Sequence, residues 1–245
     1  MQIRPYLKLL KLNEFSLRSQ CCPLCGFQLL LRLSKTEHAV RCAGCRAGPA
    51  HMSLGAVLKQ YCADLEGARV WEMSSRGPVH RFLSRSGAAL TVSEYFDDVE
   101  PGAYRDEVQC QNVEKLSYAT ASFDLATSTE VFEHVSDDLA GFKEVLRVLK
   151  PGGLTVFTVP IVLSEATRER ARIINGELIH LLPPEYHDDH LRGSGHVLCF
   201  RTYGYDIVER LRDAGFSDVA INTDWLDKYF SFGRAVIVAK KPMQV

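Results

Sequence analysis

The chain has 245 residues, 46% of them apolar and 24% charged, with a net charge of −1. That composition suits one medium α/β domain with a small appendage and leaves enough apolar surface for a sizeable core. No apolar run reaches the roughly 18 residues needed to span a bilayer, and the first residues lack the apolar stretch and cleavage site of a secretory signal, so a cytoplasmic location with no membrane partner is expected.

The charge is unevenly spread. Residues 1–60 hold nine Lys/Arg against two acids, a balance of +7 that leaves −8 for the rest. Such asymmetry signals either an anionic partner or a basic module matched to its own acidic domain or to metal-bound thiolates.

In chain order, residues 21–50 carry two CxxC pairs around a β-like stretch, Phe27 to Leu33. Cys22-Pro-Leu-Cys25 and Cys42-Ala-Gly-Cys45 are separated by 16 residues, inside the usual gap of about 15–20 for structural zinc. Four thiolates make a closed tetrahedral set, so Cys22, Cys25, Cys42 and Cys45 are expected to hold a structural Zn2+ with no open catalytic position. Cys21 is an alternative ligand, though only Cys22 pairs with Cys25 at CxxC spacing. Gly48-Pro49 breaks the chain, which puts a domain boundary near residue 50: a zinc module over 1–50 and a main domain over 51–245.

Helical spacing of Leu54, Val57, Leu58, Tyr61 and Leu65 predicts an entry helix. Strands are predicted at Ala68–Met73, Ala89–Ser93, Glu107–Gln111, Phe123–Ser128, Leu154–Pro160, Val219–Thr223 and Ala235–Ala239. Helices are predicted over Val79–Ser86, Asp137–Leu149 and Tyr205–Ala214, with a turn at Lys150-Pro-Gly-Gly153. This alternation predicts an α/β fold with a mostly parallel sheet. Residues 161–200 break the order with a polar, irregular stretch carrying Pro183-Pro184 and four histidines, His180, His187, His190 and His196. A segment this long is expected to be functional.

Ser122-Phe-Asp-Leu-Ala-Thr-Ser-Thr-Glu-Val-Phe-Glu-His-Val135 resembles the fourth strand and following loop of class I S-adenosylmethionine (SAM)-dependent methyltransferases. Phe142 to Phe157, with Leu149-Lys-Pro-Gly-Gly153 inside it, resembles that family's next helix, turn and fifth strand. The resemblance implies a Rossmann-like, seven-stranded, mostly parallel methyltransferase sheet that binds S-adenosyl-L-methionine beyond the carboxyl ends of its strands. The runs Glu72-Met-Ser-Ser-Arg-Gly-Pro78, Ser93-Glu-Tyr-Phe96 and Pro183-Pro-Glu-Tyr-His187 are similar to bacterial enzymes of surface-glycan and secondary-metabolite pathways.

The same resemblance implies site residues. Glu72 falls where the family places an acid near the methionine end of SAM, or is an ordinary strand-end acid. Ser74 and Gly77 would supply loop contacts, although Gly77 alone remains of the expected glycines. Glu94, 22 residues after Glu72, could accept both ribose hydroxyls. Tyr95 packs against adenine or in the core. Asn112 and Val113 stand where the family often has an Asp before an apolar residue, and the Asn112 side chain could meet the adenine amino group. Thr129 and Glu130 should border the sulfonium.

Methyl transfer to oxygen needs an aligned acceptor and removal of its proton. Histidine suits that task near neutral pH, which makes His134 or His187 the candidate base. His187 lies in the 161–200 segment, expected to form a substrate lid. Glu130, Glu133 and His134 could instead hold a catalytic divalent ion. The expected acceptor is a sugar or other small molecule. Competing readings are an RNA methyltransferase using the basic module, disfavoured by the acidic main domain, and a non-catalytic SAM-fold interaction protein.

Overall fold

The computed structural model describes residues 9–187 and 197–243. His190 and His196 lie outside them. The chain divides into two compact units.

The first unit comprises the described part of Met1–Gly67 together with Arg76–Ala88 and Asn222–Val236. Strands β1 (Ser16–Ser19), β2 (Leu29–Arg32) and β3 (Val40–Cys42) form an antiparallel sheet in that order. Helix α1 (Pro49–Tyr61) starts on Pro49, whose fixed φ and missing N–H suit a first helical turn. Helix α2 spans Gly77–Leu83. The expected boundary at residue 50 does not separate this unit. A Cβ on Gly55 would collide with Leu24, the Ser53 hydroxyl accepts from Arg234 N at 2.9 Å, and the Tyr229 hydroxyl donates to Met52 O at 3.4 Å. Small residues on α1 thus let it pack on the cysteine module. The guanidinium groups of Arg18 and Arg32 lie 4.3 and 5.0 Å from the centroid of the Phe230 ring, so part of the basic charge is used inside the unit.

The second unit holds Ala68–Ser75, Ala89–Ile221 and Ile237–Val245, described to residue 243. Its strands are β4 (Arg69–Glu72), β5 (Ala89–Glu94), β6 (Tyr104–Arg105), β7 (Val108–Cys110), β8 (Phe123–Thr129) and β9 (Leu149–Thr158), closing with β17 (Val219–Asn222) and β18 (Val236–Lys240). They lie in the order β17-β18-β9-β8-β4-β5-β7-β6. The pairings β9-β8, β8-β4, β4-β5 and β5-β7 are parallel, while β18 and β6 run antiparallel to their neighbours β9 and β7. The two-residue β6 is an eighth strand beyond the seven expected. The chain steps outward from β4 to β5 and β7, then returns to β8 on the other side of β4. That reversal opens a crevice at the carboxyl ends of β4 and β8.

Sequence explains these positions. β8 is buried at all but Asp124 and Thr129, the near-continuous apolar and small run of a strand covered on both faces. Helix α3 (Asp138–Val148) is capped by Asp137, whose side chain accepts from Ala140 N at 2.9 Å. It turns Phe142, Val145 and Val148 into a core with Trp71, Phe132 and Phe157. Each large side chain buried there contributes about 1.5–3 kcal/mol. Helix α4 (Ile207–Ala214) adds Ile207, Leu211 and Ala214 to that core and stops at Gly215, left-handed at φ 108°. The Lys150–Gly153 turn expected from sequence is drawn into β9 as a bulge: the register jumps from Phe123–Leu149 to Leu125–Leu154.

The described parts of the 161–200 segment, residues 161–187 and 197–200, are less irregular than expected. They contribute β10 (Ile161–Val162), β11 (Arg168–Glu169), β12 (Ala171–Ile174), β13 (Glu177–His180), β14 (Tyr186–His187) and β15 (Val197–Leu198), followed by β16 (Arg201–Gly204). The β12–β13 hairpin turns on Asn175-Gly176, both at positive φ. Among the described residues no helix is long and apolar enough to cross a membrane.

Candidate functional site

Strand ends of the second unit carry several of the residues singled out from sequence. Glu72 closes β4 and is 2% exposed. It accepts a short hydrogen bond from the Thr127 hydroxyl of β8. Burial is the main cause that pushes its carboxyl up to about 8; Glu94 adds to this and the Thr127 bond opposes it. A carboxyl held in that state is one that a cationic ligand would ionise.

Glu94 closes β5, and its Oε1 accepts from Ser75 N at 2.7 Å, Ser75 Oγ at 2.9 Å and Ser74 Oγ at 3.3 Å. It therefore fixes the loop after β4. Gly77 opens α2 in the first unit at φ 100°, with nothing within 4 Å of where a Cβ would stand, a conformation that favours glycine. Tyr95 is 44% exposed, so it is not a core residue. Asn112 Oδ1 accepts from Glu114 N at 2.9 Å and so shapes its own turn. Val113 packs on the hydrophobic core. Thr129 ends β8 with its Oγ1 buried and without a hydrogen-bond partner. Glu130 follows at φ 53° and donates its backbone N–H to Thr158 O at 3.0 Å.

Beyond β8 a 3-10 turn, Phe132–His134, presents a second group. His134 Nδ1 lies 2.9 Å from Leu198 O. A carbonyl only accepts, so Nδ1 carries the proton and Nε2 is left for another partner. Nε2 stands 3.6 Å from Glu133 Oε1, and His187 Nδ1 stands 3.6 Å from the same oxygen. The two imidazoles meet edge to face at 4.9 Å. Cys199, 2% exposed, brings its Sγ to 3.9 Å from His134 Nδ1.

These groups shift one another. Cys199 and Glu133 beside it push His187 up to about 10 against the effect of burial. Burial alone would raise the Cys199 thiol, but His134 and His187 outweigh it and lower it. Burial would lower His134, but Cys199, Glu133 and Leu198 O raise it. The two base candidates, His134 and His187, thus sit together beside a thiol and a carboxylate that favour their charged forms. The alternative ligand set of Glu130, Glu133 and His134 is not among the described groups close enough to share an ion. Among the described residues, the groups close enough to share an ion are Cys22, Cys25, Cys42 and Cys45, and His134, His187 and Cys199.

Sequence reasoning missed Cys199 and the scaffold behind it. Arg201, 3% exposed, donates to Val135 O at 2.5 Å, Ser136 O at 2.9 Å and Phe132 O at 3.3 Å, pinning the turn that carries His134. Its Nε faces Asp138 at 3.6 Å and Glu169 at 3.4 Å. Asp138 is further held by Arg210 at 2.7 and 2.8 Å and by the Tyr203 hydroxyl at 3.0 Å. Phe200 N donates to Glu133 O at 2.7 Å. Local sequence gives no sign of this network, whose members are 65 or more residues apart in the chain across the Arg201–Ser136, Tyr203–Asp138 and Arg210–Asp138 bonds.

In the first unit the four cysteines converge as their spacing implies. Cys22 Sγ lies 3.6 Å from Cys45 Sγ, and Cys25 Sγ 3.5 Å from Cys42 Sγ. A zinc tetrahedron with 2.3 Å bonds has edges of about 3.8 Å, so these are near-ligating separations. Cys21 instead points its Sγ at backbone oxygens of Cys22 and Gly26.

Residues 75–157 match a family model described as a methyltransferase domain. Over 100 residues the chain is 33% identical to a ubiquinone biosynthesis O-methyltransferase of Xanthomonas oryzae pv. oryzae, covering 37% of this chain and 42% of that protein. Over 134 residues it is 29% identical to a protein of the same name from Coxiella burnetii, covering 51% and 56%. The chain thus spans about half the length of the curated relatives it matches. A solved S-adenosylmethionine dependent methyltransferase from Mesorhizobium loti shares the fold at 20% identity, with a TM-score of 0.51 over 77% of this chain and 97% of that one.

Proposed function

We propose that this chain, whose residues 75–157 match a methyltransferase-domain model and which carries a Rossmann-like sheet, transfers a methyl group from SAM to a hydroxyl of a small-molecule acceptor, either a sugar or a ring phenol. The observation that carries the reading is the methyltransferase-domain match together with a switch-point sheet whose strand ends present Glu72, Glu94 and Thr129, with Asn112 two residues beyond β7.

These residues fit the cofactor. When bound, SAM supplies a methyl group activated by its sulfonium. The buried Glu72 carboxyl suits the amino-acid ammonium, because a cation there relieves the cost of ionising it. Glu94 Oε2 suits the ribose hydroxyls while Oε1 keeps the loop bonds. Thr129 Oγ1, buried without a hydrogen-bond partner, offers a polar contact beside the reaction centre. Asn112 and Val113 suit the adenine, Tyr95 an adjoining face, and Glu130 the sulfonium side.

The acceptor hydroxyl must also lose its proton. We assign that step to the cluster holding His134 and His187. The 161–200 segment, which supplies His187, serves as the acceptor lid. Cys22, Cys25, Cys42 and Cys45 hold one structural zinc.

Calorimetric titration with SAM, followed by transfer of labelled methyl to a panel of phenolic and sugar acceptors, tests the reading. Micromolar SAM binding with labelled ether product is expected. Absence of SAM binding would overturn it in favour of a non-catalytic interaction protein. Labelling confined to RNA would move the acceptor class to nucleic acid.

A further inference from the structure

We propose that His134, His187 and Cys199 form a second metal site, one that takes a zinc-class transition ion and keeps an open coordination position. One ligand atom from each residue lies within 4.8 Å of the others. Two imidazoles and a thiolate are the borderline-soft donors that such ions select over Mg2+ or Ca2+. Tetrahedral edges for zinc with nitrogen and sulfur ligands are about 3.3–3.8 Å, so an ion would draw the three together by about 1.5 Å or less.

The surroundings are those of a supported metal site. The Leu198 carbonyl accepts from His134 Nδ1 at 2.9 Å, the outer contact that orients a ligating imidazole and fixes its tautomer. The ligands come from separate elements. His134 sits in the 3-10 turn after β8, His187 on β14, and Cys199 just after β15, which pairs with β14 in the register His187–Val197. The Glu133 carboxylate is wholly buried, has no hydrogen-bond partner on either oxygen, and places Oε1 3.6 Å from an imidazole nitrogen of each histidine. A buried carboxylate without hydrogen bonds is costly, and a divalent cation held by these histidines would offset that cost more fully than the imidazoles alone.

Three protein ligands leave a fourth position for water or an acceptor oxygen. The catalytic side of the proposal rests on the methyltransferase reading. There, the cation would polarise the acceptor hydroxyl, the proton would pass to Glu133, and the resulting alkoxide or phenolate would take the methyl as the sulfonium C–S bond breaks. This sharpens the role of the cluster, since the histidines then act as ligands.

The test uses the untagged full chain, loaded with Zn2+ and dialysed, with metal counted by mass spectrometry. Two equivalents are expected for the unaltered chain and one for Cys199→Ser and His187→Ala. X-ray absorption of the loaded, unaltered chain covers the case in which a variant does not fold, and it should show imidazole as well as sulfur scattering. Equal zinc content in all three chains, or sulfur scattering alone, would overturn the site. Because neither readout needs SAM or an acceptor, a failure of the methyltransferase reading would leave the metal count unchanged.

Discussion

The four-cysteine group and the His134–His187–Cys199 group are both capable of holding an ion, but they are built differently. The first takes its ligands from two tight turns within residues 22–45, in a segment whose three strands have three or four residues. The second takes its ligands from elements brought together by the sheet and by buried Arg201. The first group depends on a few residues of local chain. The second depends on contacts between elements far apart in sequence.

The largest expected effect tests that contrast. Cys42→Ser should release one zinc and cost roughly 5 kcal/mol or more of local stability, because folding of such modules is metal-linked. Hydrogen exchange across residues 22–45 should lose its protection. Cys199→Ser should cost only about 1–2 kcal/mol, since the β14–β15 ladder and Arg201 remain. Equal losses in the two variants, read by denaturant unfolding and exchange, would remove the distinction.

Next is the scaffold of the second group. Asp138→Ala leaves Arg201 and Arg210 partly uncompensated and should cost about 3–5 kcal/mol. Burial alone would raise the Asp138 carboxyl, but Arg210 and Arg201 outweigh it and lower it. Its folded value therefore lies below its unfolded value. The contribution is present above the unfolded carboxylate range and is lost as pH falls through the folded value. Denaturation near pH 7 and near pH 3 should show the gap between variant and parent shrinking in acid.

Glu72 gives a smaller effect of opposite sign. Its carboxyl is raised to about 8, so the folded chain holds a proton that the unfolded chain releases. Stability of the unliganded chain should fall as pH rises from the ordinary carboxylate range to about 8 and then level off. Glu72→Gln should flatten that decline, while weakening SAM by roughly 10–100-fold through loss of a charged partner. Calorimetry in buffers of different ionisation enthalpy should show proton release when SAM binds near neutral pH. An unchanged affinity in the glutamine variant would take Glu72 out of the site.

The smallest effect belongs to Glu94→Gln. It weakens the charge-assisted bonds from Ser75, each contributing about 1.5–3 kcal/mol at most. SAM affinity should drop roughly tenfold with little change in melting temperature. A large thermal loss would make Glu94 a structural clasp rather than a cofactor contact.

Much of this was legible in the sequence. The order of strands and helices from Ala68 onward followed from buried runs, the Asp137 cap and the Gly215 stop, and the strand-end acids Glu72 and Glu94 fell where their strands end. Three features were not legible. The bulge at Lys150–Gly153 reads locally as a turn because Pro-Gly-Gly breaks a ladder, and only pairing with β8 extends the strand through it. The first unit runs past residue 50 because Gly55 and Ser53 pack on distant partners. The 161–200 segment looked irregular because strands of two to four residues are too short to show a period.

By itself the sequence determined what depends on neighbours along the chain: the CxxC knuckles, the strand–helix alternation, the caps and the identity of the acids at the strand ends. Tertiary structure alone decided that Cys199 meets His134 and His187, that Arg201 pins the His134 turn, and that Glu133 is wholly buried among them. The reason is physical. A knuckle's ligands are fixed by a few backbone angles, whereas contacts across some 65 residues exist only once burial of the core between β8, α3 and α4 has offset the entropy of closing the loop.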